Sequence, residues 1–158
     1  MIDHTTECLT VTRLSGDHAE ELTDMLLSAP AGYSQYFTPF EFSLPVIRGI
    51  MEKAEKDHYY GIRVNGSLAG IFMLRGLDKG FPIPAFGVWI AEKFQGLGLS
   101  KLAIQHSISV CRLNKINKLM LKVYPGNEKA RKLYERMGFV YQYVDEKNAN
   151  LVYYKELN

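Results

Sequence analysis

The chain has 158 residues, 47% of them apolar, and its 19 Lys and Arg against 17 Asp and Glu give a formal charge of +2 at neutral pH. That length is typical of one domain with a sizeable core, so we expect residues 1–158 to form a single domain. No apolar run approaches the roughly 20 residues that cross a bilayer, and the first residues lack the pattern of a secretory signal. These features argue against a membrane protein and predict a cytoplasmic one.

The basic residues are unevenly distributed along the chain. Residues 95–139 contain nine Lys and Arg but only two Glu. Such a segment can attract an anion, although lysines scattered on solvated helix faces give the same excess. Because the total charge is nearly balanced and no nucleic-acid-binding motif accompanies the basic residues, we do not expect a nucleic-acid partner.

Apolar periodicity divides the chain into strands and helices. Asn65 and Gly66 separate two apolar runs and favour a tight hairpin turn, because both residue types tolerate positive φ. Gly138 is placed to end a helix. The predicted elements are a strand at residues 8–14, helices at 17–28 and 45–56, strands at 59–64, 68–74 and 83–91, a helix at 98–113, a strand at 118–124, a helix at 127–137, and strands at 139–144 and 151–155.

This order of elements predicts an α/β (α+β) fold. We expect a mixed, mostly antiparallel central sheet of about seven strands, flanked by about four helices. The helix that begins near Gly98 follows one strand and precedes another, so it is expected to connect two parallel strands. No repeat or flexible linker interrupts the pattern, which agrees with one domain.

Residues 29–43 combine turn formers with aromatic residues between the first two predicted helices. The aromatic side chains are Tyr33, Tyr36, Phe37, Phe40 and Phe42. They could form one wall of a binding pocket, or they could simply anchor the loop to the core. We take Tyr33, Tyr36 and Phe37 as the candidate substrate-binding residues.

A hexapeptide with two glycines, Gln95-Gly96-Leu97-Gly98-Leu99-Ser100, connects a predicted strand to a predicted helix. Glycines allow a tight turn, and the first amides of a helix lack intrahelical partners. With the helix dipole, the Ser100 hydroxyl and the Lys101 charge, they could bind a phosphate or diphosphate. Glycines at such a junction also serve simply to turn the chain. The hexapeptide matches neither the dinucleotide fingerprint nor the nucleotide triphosphate loop.

A second motif follows the next predicted strand and lies on the helix after it. It comprises Asn127, Ala130, Tyr134, Gly138 and Phe139. Together with the hexapeptide, this motif resembles the GCN5-related N-acetyltransferases (the GNAT family), whose first motif is usually Arg/Gln-x-x-Gly-x-Gly/Ala. Ser100 stands where the family usually has Gly or Ala, a change that would tighten or shift the diphosphate contact. The order of predicted elements resembles the family across nearly the whole chain.

The resemblance implies an N-acetyltransferase with acetyl-CoA (coenzyme A) as its acyl-donor cosubstrate and no metal. The hexapeptide amides would bind the pyrophosphate, the preceding strand would pair with the pantetheine arm, and Tyr134 would protonate the departing thiolate. The implied coenzyme contacts are Val88, Trp89, Ile90, Gln95, Gly96, Leu97, Gly98, Leu99, Ser100, Lys101 and Asn127. From the residues alone, Asn127 also suits a helix cap, and Tyr134 also suits the core-facing side of a helix.

The sequence does not identify the general base. Many members of the family carry an acidic residue on the strand before the phosphate loop, but residues 86–91 contain none, and Glu92 comes late. A substitute could act directly or through water from a strand end or a pocket loop. The substitutes considered are Glu41, Asp57, His58 and Asp78.

The remaining nucleophilic and basic candidates receive no catalytic role. Cys8 and Cys111 lack metal-ligand spacing, so both are expected to be free thiols. Cys111 lies among apolar residues of a predicted helix, which indicates a core position. His4, His18 and His106 have no partner at a spacing that would indicate chemistry.

The resemblance leaves the acceptor least defined. A small-molecule primary amine is expected, including an amino sugar or a nucleotide-linked amino sugar, since aromatic residues suit the C–H faces of sugars. The alternatives are a protein N-terminus or lysine, and a noncatalytic acyl-CoA-binding sensor. Related enzymes often pair, so a homodimer is an open expectation.

Overall fold

The computed structural model describes residues 6–158, so His4 lies outside the described residues. Its elements are β1 (Leu9–Arg13), α1 (Ala19–Leu27), α2 (Leu44–Lys53), β2 (His58–Val64), β3 (Ser67–Arg75), β4 (Ala85–Ile90), α3 (Leu99–Leu113), β5 (Lys118–Val123), α4 (Glu128–Arg136), β6 (Val140–Val144) and β7 (Leu151–Glu156). Short 3-10 turns precede α1 and α3. The predicted fold class and the predicted order of elements are confirmed.

The strands form one mixed sheet in the order β1-β2-β3-β4-β5-β7-β6. Every neighbouring pair is antiparallel except β4 and β5, which are parallel and connected by α3 as predicted. The hairpin between β2 and β3 turns at Asn65 and Gly66, whose φ angles of 52° and 85° are both positive. Such angles match the right-handed twist of the two strands.

Two apolar clusters lie on opposite faces of the sheet. On one face α1 and α2 pack their buried side chains, including Leu22 and Ile47, against the strands. On the other face α3 buries Ile104, Ile108 and Cys111, whose four- and three-residue spacing forms one helix stripe. The expected core position of Cys111 is confirmed.

Two of the predicted boundaries that differ from the structure have a clear physical reason. The α2 helix ends at Lys53 rather than residue 56, because the Asp78 carboxylate accepts the backbone N–H groups of residues 55, 56 and 57. Those donors cannot also continue the helical ladder. Strand β4 begins at Ala85 rather than residue 83, after Pro84, which has no N–H to donate to a sheet. Among the described helices, none is long and apolar enough to cross a membrane.

Candidate active site

Strands β4 and β5 separate along their length and leave a gap in the sheet. Their parallel pairing consists of Ala85 with Met120 and Phe86 with Leu121. Beyond these pairs β4 stays bonded to β3 as far as Ile90, and β5 stays bonded to β7 as far as Val123. The carboxyl-terminal halves of β4 and β5 therefore diverge, so each presents an edge to the gap.

The backbone of Val88 and Ile90 faces this gap. The Ala91 N–H bonds the Ala69 carbonyl of the β3 side, and the Pro84 carbonyl accepts from Met120 of β5. Because backbone groups alternate along a strand, residues 88 and 90 direct theirs towards the gap. By the same alternation Trp89 directs its backbone towards β3. Of the three β4 residues predicted to contact the pantetheine arm, Val88 and Ile90 therefore direct their backbone groups into the gap and Trp89 does not.

The glycines of the hexapeptide shape the chain at the start of α3. Gly96 and Gly98 have φ angles of 80° and 77°, which side chains other than glycine rarely adopt. A Cβ added at either would meet nothing within 4 Å, so the space beside them is open. Within the described chain, the α3 N-cap forms no side-chain bond, and its first turn holds no acidic residue. The first amides of this 15-residue helix are therefore free to bind an anion.

The second motif lies on α4, across the cavity from β4. Asn127 caps this helix, because its Oδ1 accepts the Ala130 N–H at 3.4 Å. The capping role that the sequence suggested for Asn127 is therefore observed. Tyr134 is 8% exposed and its ring contacts Phe139. Burial raises the pKa of Tyr134 to about 12, which keeps the hydroxyl protonated at neutral pH. That side chain lines the cavity and can therefore donate a proton into it.

The loop at residues 29–43 is hydrogen-bonded to strand β4 and to the hexapeptide that precedes α3. The Tyr33 hydroxyl donates to the Ile90 carbonyl and accepts from the Gln95 amide at 2.7 Å. Ser34 accepts a hydrogen bond from the Trp89 indole at 2.9 Å. Trp89 thus anchors the loop through its side chain, which explains why its indole is 5% exposed.

The middle of the same loop reaches β5 and the inner part of β4. The Tyr36 ring lies 5.6 Å from that of Tyr124, which follows β5. Phe37 lies beside Gly87 of β4, where an added Cβ would come within 3.9 Å of the Phe37 ring. The two aromatic residues therefore cover the gap where the strands diverge. Both the pocket-wall role and the anchoring role predicted for this loop have contacts that support them.

A cavity of about 660 Å³ contains the predicted site. All of the predicted site residues line it except Leu97, whose side chain is 66% exposed to solvent. Sequence reasoning missed Gly32, Gln35, Phe94, Lys129, Leu133 and Arg136. The last three recur at helical spacing beside Ala130 and Tyr134, a signal that could have identified them.

None of the four substitute bases lines the cavity, so the prediction that one of them acts there is not supported by their positions. Asp57 and Asp78 accept each other's backbone N–H groups, at 3.1 Å and 3.0 Å, and so join two loops. The Lys56 amide and its neighbours lower the pKa of Asp78. His58 bonds the Tyr60 hydroxyl, and burial lowers the pKa of that histidine. Glu41 is exposed on the loop.

The remaining candidates are structural. Cys8 and Cys111 are free thiols, and burial raises the pKa of Cys111 to about 11, which keeps it protonated and unreactive. His106 packs its ring against Tyr60 and Phe72 at centroid distances of 4.7 and 5.3 Å. Within residues 6–158, no three His, Cys, Asp or Glu side chains come together to hold a metal ion.

The sequence matches the model of a known family and several named proteins. The model of the acetyltransferase (GNAT) family matches residues 20–139. YdaF of Bacillus subtilis, provisionally named a ribosomal N-acetyltransferase, is 32% identical over 105 residues, 61% of this chain and 57% of that protein. The chain thus spans little more than half of this relative. A spermine/spermidine N(1)-acetyltransferase of the same organism is 30% identical over 118 residues, 68% of this chain and 77% of that protein.

Solved structures share the fold over nearly the whole chain. RimL, a ribosomal L7/L12 alpha-N-protein acetyltransferase in complex with coenzyme A, superposes with a TM-score of 0.78 at 17% identity, covering 98% of this chain and 97% of that one. A likeness at such low identity concerns the fold alone. Taken with the family match, it shows that the chain belongs to the GNAT family of acetyltransferases. The family and the enzyme class expected from the two motifs are confirmed.

Proposed function

We propose that the chain transfers the acetyl group of acetyl-CoA to the primary amine of a small acceptor. One observation carries the proposal: a single cavity is lined by the N-terminal residues of α3, by the strand edge at Val88 and by Tyr134. These three features suit, in turn, the diphosphate, the amide-containing arm and the sulfur of coenzyme A. The family match supports acetyl-CoA as the cosubstrate.

The residues present fit the coenzyme from its phosphates to its sulfur. The amides of residues 96–101 and the Lys101 ammonium would bind the diphosphate at the α3 N-terminus. The backbone groups of Val88 and the N–H of Ile90 would pair with the pantetheine amides as an added strand does. Asn127 would contact the same arm from α4. The Ile90 carbonyl already accepts from Tyr33, so that bond marks the outer end of the pairing.

The chemistry follows from this placement. A neutral acceptor amine attacks the thioester carbonyl, and the Val88 N–H stabilises the negative charge that develops on its oxygen. The C–S bond then breaks, the amide keeps the acetyl group, and Tyr134 donates its proton to the leaving thiolate. The proton that the amine loses then passes through water to Tyr134, which restores the hydroxyl. The proposed transfer is direct, within a ternary complex of acetyl-CoA and amine, and no described cysteine lines the cavity to offer an acyl-cysteine route.

The acceptor class is the part of the proposal that the relatives leave open. Their names indicate a ribosomal protein in one case and polyamines in another. We favour a small primary amine, an amino sugar among the candidates, because Tyr36 and Phe37 offer an aromatic surface at the gap. A noncatalytic sensor is the second candidate, since no described carboxylate lines the cavity.

Release of free thiol from acetyl-CoA, followed across a panel of amines, tests the proposal. Turnover with at least one small amine is expected, with a product one acetyl group heavier by mass spectrometry. Binding of acetyl-CoA in calorimetry without turnover on any amine would favour the sensor. A lack of binding would overturn both functions.

A further inference from the structure

The charges around the cavity have one sign. Among residues 6–158, the charged side chains that line it are Lys101, Lys129 and Arg136. Lys101 lies at the start of α3, where the coenzyme diphosphate is proposed to bind, and Lys129 and Arg136 lie on α4. No Asp or Glu of the described chain lines the cavity, and its titratable neutral groups are Tyr33, Tyr36 and Tyr134. A protonated amine would therefore find no counter-ion there.

The acceptor end of the cavity is neutral. We assign to that end Gln35, Tyr36 and Phe37 of the loop, together with the strand edge at Val88, all of which line the cavity. Several carboxylates elsewhere have their own partners. Asp145 pairs with Lys122, Glu135 accepts from Tyr153, and Asp78 accepts three backbone amides.

This arrangement affects the amine more than the thioester. An ammonium group cannot attack a carbonyl, so the acceptor must lose a proton before reaction. A site without a carboxylate neither attracts the ammonium form nor removes its proton. Aromatic faces can hold a cation, but they favour the charged form that does not react. The acceptor must therefore supply its own neutral fraction.

We propose that the natural acceptor is a weakly basic primary amine without further positive charges, and that polyamines and lysine side chains are poor acceptors. Two sources share this chemistry: the amino group of a sugar and the α-amine of a peptide. The inference rests on the proposed function and narrows its acceptor. It selects against the polyamines named for one relative.

The first test compares amines under one set of conditions. Glucosamine and a neutral tripeptide with a free α-amine form the weakly basic arms, and spermidine and an N-terminally acetylated lysine peptide form the strongly basic arms. An α-amine titrates near 8 and lysine near 10.4, so at pH 7.5 their neutral fractions differ on the order of 10²-fold. We expect kcat/KM to differ by at least that factor. The two weakly basic arms distinguish the two sources.

The second test uses the pH dependence of kcat/KM. If only the amine titrates, kcat/KM rises with pH until the pH passes the pKa of the acceptor. The midpoint of this rise then shifts when an acceptor with a different pKa is used. A profile fixed at one pH for every acceptor would reveal an enzymic base and overturn the inference. Burial raises the pKa of Tyr134 to about 12, so its loss of a proton produces no descending limb below pH 10.

A charge placed at the acceptor end gives the third test. Gln35→Glu introduces a carboxylate into the cavity wall and is expected to raise kcat/KM for spermidine at least about tenfold. Gln105→Glu, on the exposed side of α3 and outside the cavity, is the matched control and should leave it unchanged. Equal responses of the two variants would count against the inference.

The outcomes separate the two levels of the proposal. Rapid turnover of spermidine or the lysine peptide by the unaltered chain would overturn the acceptor inference and leave the acetyltransferase proposal standing. Binding of acetyl-CoA without turnover of any amine would overturn the proposed function, and the inference with it.

Discussion

Tyr134 combines two properties that rarely occur together on one helix. Its ring is part of the core and contacts Phe139, yet its side chain lines the cavity. Burial raises the pKa of the hydroxyl to about 12, and the described residues offer it no hydrogen bond that would lower this value. The hydroxyl therefore stays protonated at neutral pH, so Tyr134 is available as a proton donor and is unsuited to the role of base.

Tyr134→Phe is therefore expected to lower kcat on the order of 10²-fold, because a positioned proton donor is lost. The dissociation constant of acetyl-CoA should change little, since the ring remains in place. Steady-state kinetics and calorimetry measure the two quantities. Tyr141→Phe, at an exposed position on β6, is the control with unchanged kcat. Equal kcat in all three proteins would remove Tyr134 from the mechanism.

Gly98 provides a second prediction at the residue scale, with Gly66 as its matched control. Both have positive φ, 77° and 85°, and a Cβ at either meets nothing within 4 Å. Alanine at either position should lower the free energy of unfolding by about 1–2 kcal/mol, the cost of the left-handed conformation. Only Gly98→Ala should also weaken acetyl-CoA binding, measured by calorimetry, because its Cβ occupies the diphosphate site. Equal affinities in the two variants would contradict that placement.

At the scale of elements, the loop between α1 and α2 connects the two halves of the site. Its Tyr33 hydroxyl bonds both Ile90, at the end of β4, and Gln95, at the start of the phosphate turn. Phe37, four residues along, lies at the inner end of the gap. The coenzyme site and the acceptor wall therefore share one bonded segment.

Tyr33→Phe removes both bonds, and each contributes about 0.5–1.5 kcal/mol. We expect the KM values of acetyl-CoA and of the acceptor to rise together, by roughly three- to tenfold each. Tyr36→Phe is the control, since among the described residues its hydroxyl forms no comparable bond, and it should leave acetyl-CoA affinity unchanged. An increase in only one of the two KM values would show that the loop does not couple the sites.

Local sequence patterns predicted the elements, and tertiary contacts limited that prediction. Alternation and helical spacing identified each strand and helix because those patterns reflect burial on one face. The end of α2 could not be predicted, since it depends on Asp78, a residue distant in sequence. Likewise the predicted pantetheine contacts did not distinguish Trp89 from its neighbours. That distinction depends on which backbone groups pair with β3.

Sequence patterns likewise predicted only part of the candidate site. Gly96, Gly98 and Tyr134 could be placed because two spaced motifs define them, whereas Gln35 and Arg136 belong to no motif. Among residues 6–158, three-dimensional packing leaves no carboxylate on the cavity wall, and the sequence offered four acidic or basic candidates that lie elsewhere.

For the whole molecule, two cores share a single sheet. Neighbouring residues of β2 belong to different cores, Tyr59 to the α1 and α2 side and Tyr60 to the α3 side. Loss of one core would expose the other, so we propose that residues 1–158 form one cooperative domain. Urea unfolding should show the same midpoint by far-UV circular dichroism and by fluorescence of Trp89, the single tryptophan. Two separate midpoints would indicate independent units.

A structure of the chain with coenzyme A tests the central claim most directly. The account predicts the diphosphate at the amides that begin α3, the pantetheine arm along the edge of Val88 and Ile90, and the sulfur within hydrogen-bonding distance of the Tyr134 hydroxyl. A coenzyme bound elsewhere, or a sulfur directed away from Tyr134, would contradict it.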